Sequence, residues 1–143
     1  MKNNNLELYA EQTLRSCQLK QFSILDEIDR ICNKHNIPYW LDGGTLLGAV
    51  RHGGFIPWDD DIDIAMQLED VQRFIQIAPK ELKSGLFLQT KESDPDNNKP
   101  IIKVRDMNSF FVEPNDDFSE SYQKGLYVDI FPFIDYPSVP KSW

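Results

Sequence analysis

The chain has 143 residues, 41% of them apolar, with nine Phe, three Trp and five Tyr; this composition can bury a core and excludes a disordered chain. Fifteen Lys and Arg against twenty-three Asp and Glu leave a net charge of -8, which repels a phosphate backbone and excludes a general nucleic-acid binder. The length is that of one domain, residues 1–143, and no run approaches the roughly 18 apolar residues of a membrane span. The opening MKNNNLELYAEQ lacks the apolar centre of a signal peptide, so a cytoplasmic chain is expected, free or peripheral at the inner membrane face.

From Leu6 to Asn36 there is neither Gly nor Pro, and apolar residues recur at Leu14, Cys17, Phe22, Leu25, Ile28 and Cys32, which predicts a long amphipathic helix ended by Asn36 and Pro38. Cys17 and Cys32 would lie about 22 Å apart on that helix, beyond disulfide reach. Ile37 to Leu41 reads as a strand, and Thr45 can N-cap a short helix through Val50. His52, Gly53 and Gly54 break it. Asp61, Ile62, Asp63 and Ile64 then alternate charge and apolarity with period two, the pattern of a strand with one acidic face.

Glu69 to Leu82 has helical spacing, with Pro79 leaving its end open. Leu86 to Thr90 and Ile101 to Arg105 read as strands joined by the polar loop ESDPDNNKP. Ser109 to Val112 reads as a further short strand, followed by the acidic loop EPNDDFSES, and Gly125 to Phe133 as a strong last strand that carries Asp129 between Val128 and Ile130. The Pro-rich YPSVPKSW cannot continue regular structure. The mixed order of helices and strands gives an α+β fold with a small sheet.

On a strand, Asp61 and Asp63 share a face about 7 Å apart along the backbone, where their carboxylates can converge on a cation. Without one they repel, and one tends to take up a proton. Oxygen-only ligands suit Mg2+ or Mn2+; zinc would want His or Cys, and the two His and two Cys stand at no ligand spacing. No Lys or Arg lies between His52 and Gln72, so protein counter-charge must come from elsewhere. Asp59 and Asp60 precede the alternation and fit supporting or turn roles as well as ligation. A solvated acidic loop is the competing reading of the cluster.

Gly43-Gly44-Thr45 between a strand and a short helix offers backbone N–H groups and a hydroxyl to an anion, though it matches neither GxxxxGK[ST] nor GxGxxG. Arg51 and His52 follow closely and can serve a phosphorylated ligand or face solvent. Lys103 and Arg105 alternate on a predicted strand and can reach the acidic face. Trp58 and Tyr39 read as core or hinge aromatics rather than a cage for a quaternary ammonium.

Gly43-Gly44-Thr45 followed by Asp61-Ile62-Asp63-Ile64 resembles the glycine and acidic motifs of the nucleotidyltransferase fold shared with DNA polymerase β. More narrowly, LDGGTLLGAVRHGGFIPWDDDIDIAM with the later VDIFPF resembles the LicD family of phosphocholine transferases, to which fukutin-related proteins are similar. The match covers about residues 37 to 135. It implies transfer of a phosphorylated alcohol, typically phosphocholine from CDP-choline, to a cell-surface glycan such as teichoic acid or lipopolysaccharide, with CMP leaving.

Carried onto this chain, the resemblance implies that Gly43, Gly44 and Thr45 hold donor phosphate, that Asp61 and Asp63 bind metal, and that Asp129 is the third carboxylate, a ligand or the base for the acceptor hydroxyl. Two Mg2+ ions would suit the chemistry. Members of the family commonly run longer, so an acceptor-binding part that is short or missing at the C-terminus is expected. Two other readings keep the fold: nucleotidyl transfer from ATP or CTP, and a degenerate nucleotide-binding module without turnover.

Overall fold

The computed structural model describes residues 4–97, 101–113 and 119–136. The Pro-rich stretch from 137 on, the end of the ESDPDNNKP loop and the centre of the acidic EPNDDFSES loop lie outside them.

The first helix, α1 (Asn4–His35), is as long as its freedom from Gly and Pro predicts. Its buried face is not quite the expected one. Ile24, Ile28, Ile31 and Cys32 enter the core together with Gln18, Gln21 and Glu27, whereas Phe22 is exposed. Glu27 is tolerated there because Arg30 and Lys83 both pair with it, and the Arg30 guanidinium above all holds its carboxyl down at about 2. Asn36 ends the helix at φ 51°, and the N–H of Ile37 donates back to the Cys32 carbonyl.

That bond withdraws Ile37 from sheet pairing, and Pro38 has no N–H to give. The strand expected over Ile37 to Leu41 therefore shrinks to β1 (Trp40–Leu41). Next comes α2 (Gly43–His52), which starts two residues before Thr45: the extended Asp42 precedes it, and the Asp42 carbonyl accepts the N–H of Leu46. Thr45 is inside the helix and is not its N-cap. Gly53 closes α2 at φ 67°.

The acidic strand is β2 (Asp63–Gln67), two residues later than expected, because Asp61 and Ile62 precede the regular ladder. The alternation survives: Ile62 and Ile64 are buried while Asp61 and Asp63 stay partly exposed. Helix α3 (Leu68–Glu81) runs through Pro79, which stands in the last turn where its missing N–H costs one bond. The strands β3 (Leu86–Gln89), β4 (Ile102–Asp106) and β5 (Tyr127–Phe133) complete the sheet. No strand forms over Ser109 to Val112. The Ser109 side chain instead donates to the Asp106 carbonyl and accepts the Leu126 N–H, replacing a ladder with local turns.

The five strands lie in the order β1-β2-β5-β4-β3, with only β2 and β5 parallel. This is the small mixed sheet with helices that the sequence implies. Ile64, Met66, Leu88, Val104, Val128 and Ile130 pack with α1 and α3 into one core. By strand alternation, Asp63, Lys103, Arg105 and Asp129 belong to the other face. Among the described residues, no helix is long and apolar enough to cross a membrane.

Helix α2 is seated on the following loop through Gly48. A Cβ there would meet the Gly54 carbonyl oxygen at 2.5 Å and the Ile56 nitrogen at 2.9 Å, both backbone atoms. Gly48→Ala should therefore destabilise the protein by roughly 1–3 kcal/mol, lowering Tm in thermal denaturation. An unchanged Tm would mean that α2 is not held this closely.

Candidate metal and phosphate site

Three elements bring the acidic residues together. The parallel pairing of β2 with β5 sets Asp63 opposite Asp129, and the antiparallel pairing of β4 sets Lys103 opposite the same Asp129. Asp61 is two residues before Asp63 on the same side. The Asp129 N–H donates to the Ile62 carbonyl at 2.9 Å, which ties β5 to the acidic segment at this level. The carboxylates of Asp59, Asp60 and Asp61 have oxygens within 4.8 Å of one another.

The N-terminus of α2 adjoins this cluster. Asp42 makes no side-chain cap bond, and the first N–H groups of a helix have no partner within it. Gly43 and Gly44 are glycines for a reason of space. Gly43 has φ 50°, and a Cβ on it would lie 3.4 Å from an Asp63 carboxylate oxygen; one on Gly44 would lie 2.9 Å from an Asp59 carboxylate oxygen. The Thr45 hydroxyl oxygen accepts the Asp63 N–H at 2.9 Å, locking α2 onto the start of β2.

Burial first, and concentrated charge after it, appear in the acidities. Burial, then Asp61 and Asp129, push the Asp63 carboxyl up from 3.8 to about 6. Burial, followed by Asp59 and Asp60, also raises Asp61. In the deepest pair, the Lys103 ammonium contacts an Asp129 oxygen at 2.6 Å. Burial raises the Asp129 carboxyl and lowers the Lys103 ammonium, while the ion pair between them opposes both shifts. Two unit charges about 5 Å apart repel by about 3 kcal/mol at an effective dielectric of about 20, and one Lys cannot neutralise the five aspartates gathered here. An all-carboxylate set of this kind fits a hard divalent cation and no softer metal.

The other expected site residues are placed differently. Lys103 does reach the acidic face, with its ammonium also 3.4 Å from the centre of the Tyr127 ring. Arg105 is committed inside the fold: its guanidinium donates to Gln89 and to the Gly125 carbonyl and stacks on Tyr127, so it does not supply the free cation expected. Arg51 and His52 are exposed in the last turn of α2, about 12 Å along the helix axis from Gly43 and Gly44, and are not part of the carboxylate cluster. His52 packs edge-on against the exposed Trp58, and Tyr39 donates to Asp29, so neither aromatic forms a cage.

Sequence reasoning passes over Gln18 and Gln21 of α1, whose side-chain amides donate to the carbonyls of Asp59 and Asp60, each at 2.8 Å. A signal existed, because both fall on the same helical stripe as Ile24 and Ile28.

Fold and cluster together define a mixed-sheet domain with an acidic site at a helix N-terminus. Residues 36–142 match the family model described as LicD/FKTN/FKRP, nucleotidyltransferase domain, and the chain belongs to this family. It is 35% identical over 130 residues to the lipopolysaccharide cholinephosphotransferase LicD of Haemophilus influenzae, covering 90% of this chain and 47% of that protein. It is 37% identical over 138 residues to the human ribitol 5-phosphate transferase FKRP, covering 91% of this chain and 23% of that protein. An uncharacterized protein of Rickettsia prowazekii, RP689, is 45% identical over 123 residues, 82% of this chain and 46% of its own length. The chain thus spans less than half the length of each of these relatives.

With Asp63 titrating near 6 in the folded state and near 3.8 when unfolded, the folded protein holds a proton across that interval that the unfolded chain releases. In EDTA, stability should therefore fall as pH rises from about 5, where Glu27 is mostly ionised in the unfolded chain as well as in the folded one, through about 6. Asp63→Asn should flatten that fall and raise Tm above wild type near neutrality. A lower Tm for Asp63→Asn throughout would show that burial and the neighbouring aspartates do not penalise the charged carboxylate.

Proposed function

We propose that the domain has the nucleotidyltransferase fold, as one domain over residues 1–143, and transfers a phosphorylated alcohol from a CDP-activated donor to a cell-surface glycan. The reading rests on one observation: Asp63 and Asp129 stand in register on adjacent parallel strands, beside Asp61 and the glycine start of α2. In this reading Asp61, Asp63 and Asp129 hold Mg2+ or Mn2+, in a two-ion arrangement. Bound there, the ions would neutralise the donor pyrophosphate and the departing CMP.

The chain's own groups do the rest. N–H groups in the first turn of α2, from Gly43 to Thr45, receive a donor phosphate at the positive end of the helix. Lys103 opposes the rise that burial imposes on the Asp129 carboxyl and presents its ammonium to the phosphoryl group being moved. Asp129 faces the acceptor hydroxyl: as base its carboxylate would accept the hydroxyl proton, and as ligand only it would hold the cation while the proton passes to water. Arg51 and His52, at the far end of α2, are within reach only of the outer part of an extended donor.

Choline is the first candidate for the alcohol, from the similarity to LicD. Ribitol is the second, because human FKRP matches at a comparable identity. The acceptor is a lipopolysaccharide or teichoic-acid glycan met at the cytoplasmic side of the membrane.

Release of CMP from CDP-choline and CDP-ribitol, followed with glycan acceptors and Mg2+, tests the reading. CMP should appear with one of the two donors, disappear in EDTA, and fall by a factor of about 100 or more in Asp129→Asn. Pyrophosphate release from CTP or ATP would point to nucleotidyl transfer instead. Metal-dependent donor binding with no CMP release would make this a binding module.

A further inference from the structure

The acidic segment needs more support than its own strand supplies. Asp59, Asp60 and Asp61 belong to no helix or ladder, so regular backbone pairing does not fix their carboxylates. Around them, the Asp59 N–H donates to the Ile56 carbonyl, the Ile62 carbonyl accepts from Asp129, and the Asp63 N–H donates to Thr45. The carbonyls of Asp59 and Asp60 are taken by Gln18 and Gln21 from a helix about 40 residues earlier in the chain.

Both glutamines are nearly fully buried, at 3% and 1% exposure, on a face otherwise lined by Ile24, Ile28 and Ile31. The Gln18 amide is oriented from behind: its oxygen accepts from Arg15, which turns its NH2 toward Asp59. The Gln21 oxygen has no hydrogen-bond partner among the described residues. Burying an amide with one end unpaired costs free energy that a leucine of similar size would avoid. Stability alone therefore does not account for Gln21, whereas its bond to the Asp60 carbonyl does. An amide also suits this position electrostatically. It holds the backbone without a positive charge, which a Lys or Arg would bring into competition with a cation for the same carboxylates.

We infer that Gln18 and Gln21 are positioning residues for the carboxylate site: α1, which precedes the segment matched by the family model, clamps the Asp59–Asp61 backbone in the geometry that binds a divalent cation. This inference rests on the metal-site reading above. It makes α1 part of the site as well as a cover for the sheet.

The test is Mn2+ binding to the full chain, read by electron paramagnetic resonance, with Tm in EDTA measured on the same samples. Gln18→Met, Gln21→Leu and the double variant keep side-chain volume and remove the donors. Ile24→Val is the comparison, since it loosens the same helix without touching the clamp. The glutamine variants should bind Mn2+ about tenfold more weakly or worse, with Tm equal to or above that of Ile24→Val, which should bind like wild type. The inference is overturned if the glutamine variants bind Mn2+ as wild type does, or if Ile24→Val weakens binding as much as they do. Should the double variant fail to fold, the two single variants decide by the same criteria. The Asp61→Asn, Asp63→Asn double variant separates the two levels. If it binds Mn2+ as wild type does, the metal reading itself falls and this inference with it; if only it loses binding, the clamp alone is wrong.

Discussion

Like charges held close together are the constraint on which the site depends. Asp63 and Asp129 are neighbours because two strands pair in parallel, and Asp61 and Asp59 are added by the segment leading into one of them. Nothing in the core requires those carboxylates; the residues that build it are their apolar alternates, Ile62, Ile64, Val128 and Ile130. The pairing that buries the isoleucines therefore forces the acids together on the other face, and the repulsion is a standing cost of this sheet.

The surrounding structure reads as a set of answers to that cost. Lys103, brought opposite Asp129 by β4, supplies one buried counter-charge. The glycines at the start of α2 let backbone N–H groups and carboxylate oxygens approach without a Cβ between them, and Thr45 fixes the helix to β2 by accepting a strand N–H. The glutamines of α1 hold the acidic backbone from the far side with neutral donors. What these groups leave uncompensated is negative charge in a rigid setting, which is the demand a divalent cation with a phosphate would meet in the proposed function.

Much of this was legible in the sequence where the signal was local. The alternation Asp61-Ile62-Asp63-Ile64 announced both the acidic face and the buried one, and the absence of Gly and Pro announced α1. Long-range pairing was legible only through the resemblance, which joined Asp129 to Asp61 and Asp63: no periodicity says that Asp129 falls opposite Asp63, or that Lys103 meets Asp129 while Arg105 turns to Gln89 and Gly125. Thr45 is of the type that caps helices, and its hydroxyl went instead to a strand 18 residues away, leaving Asp42 to start α2. Ser109 undid an expected strand in the same way, by offering the backbone a side-chain partner. Gln18 and Gln21 were passed over, although they share the stripe of Ile24 and Ile28, because polar residues on a long helix ordinarily face water.

The central claim is that the repulsion among these aspartates exists to be relieved by divalent ions carrying a nucleotide-activated donor. Diffraction at the manganese absorption edge, from crystals of the full chain soaked with Mn2+ and CDP-choline, tests it most directly. Anomalous peaks at coordination distance from the carboxylates of Asp61, Asp63 and Asp129, with donor phosphate density against the start of α2, are the predicted result. Ions bound only at other residues, or no anomalous density among these three aspartates at saturating Mn2+, would contradict the account.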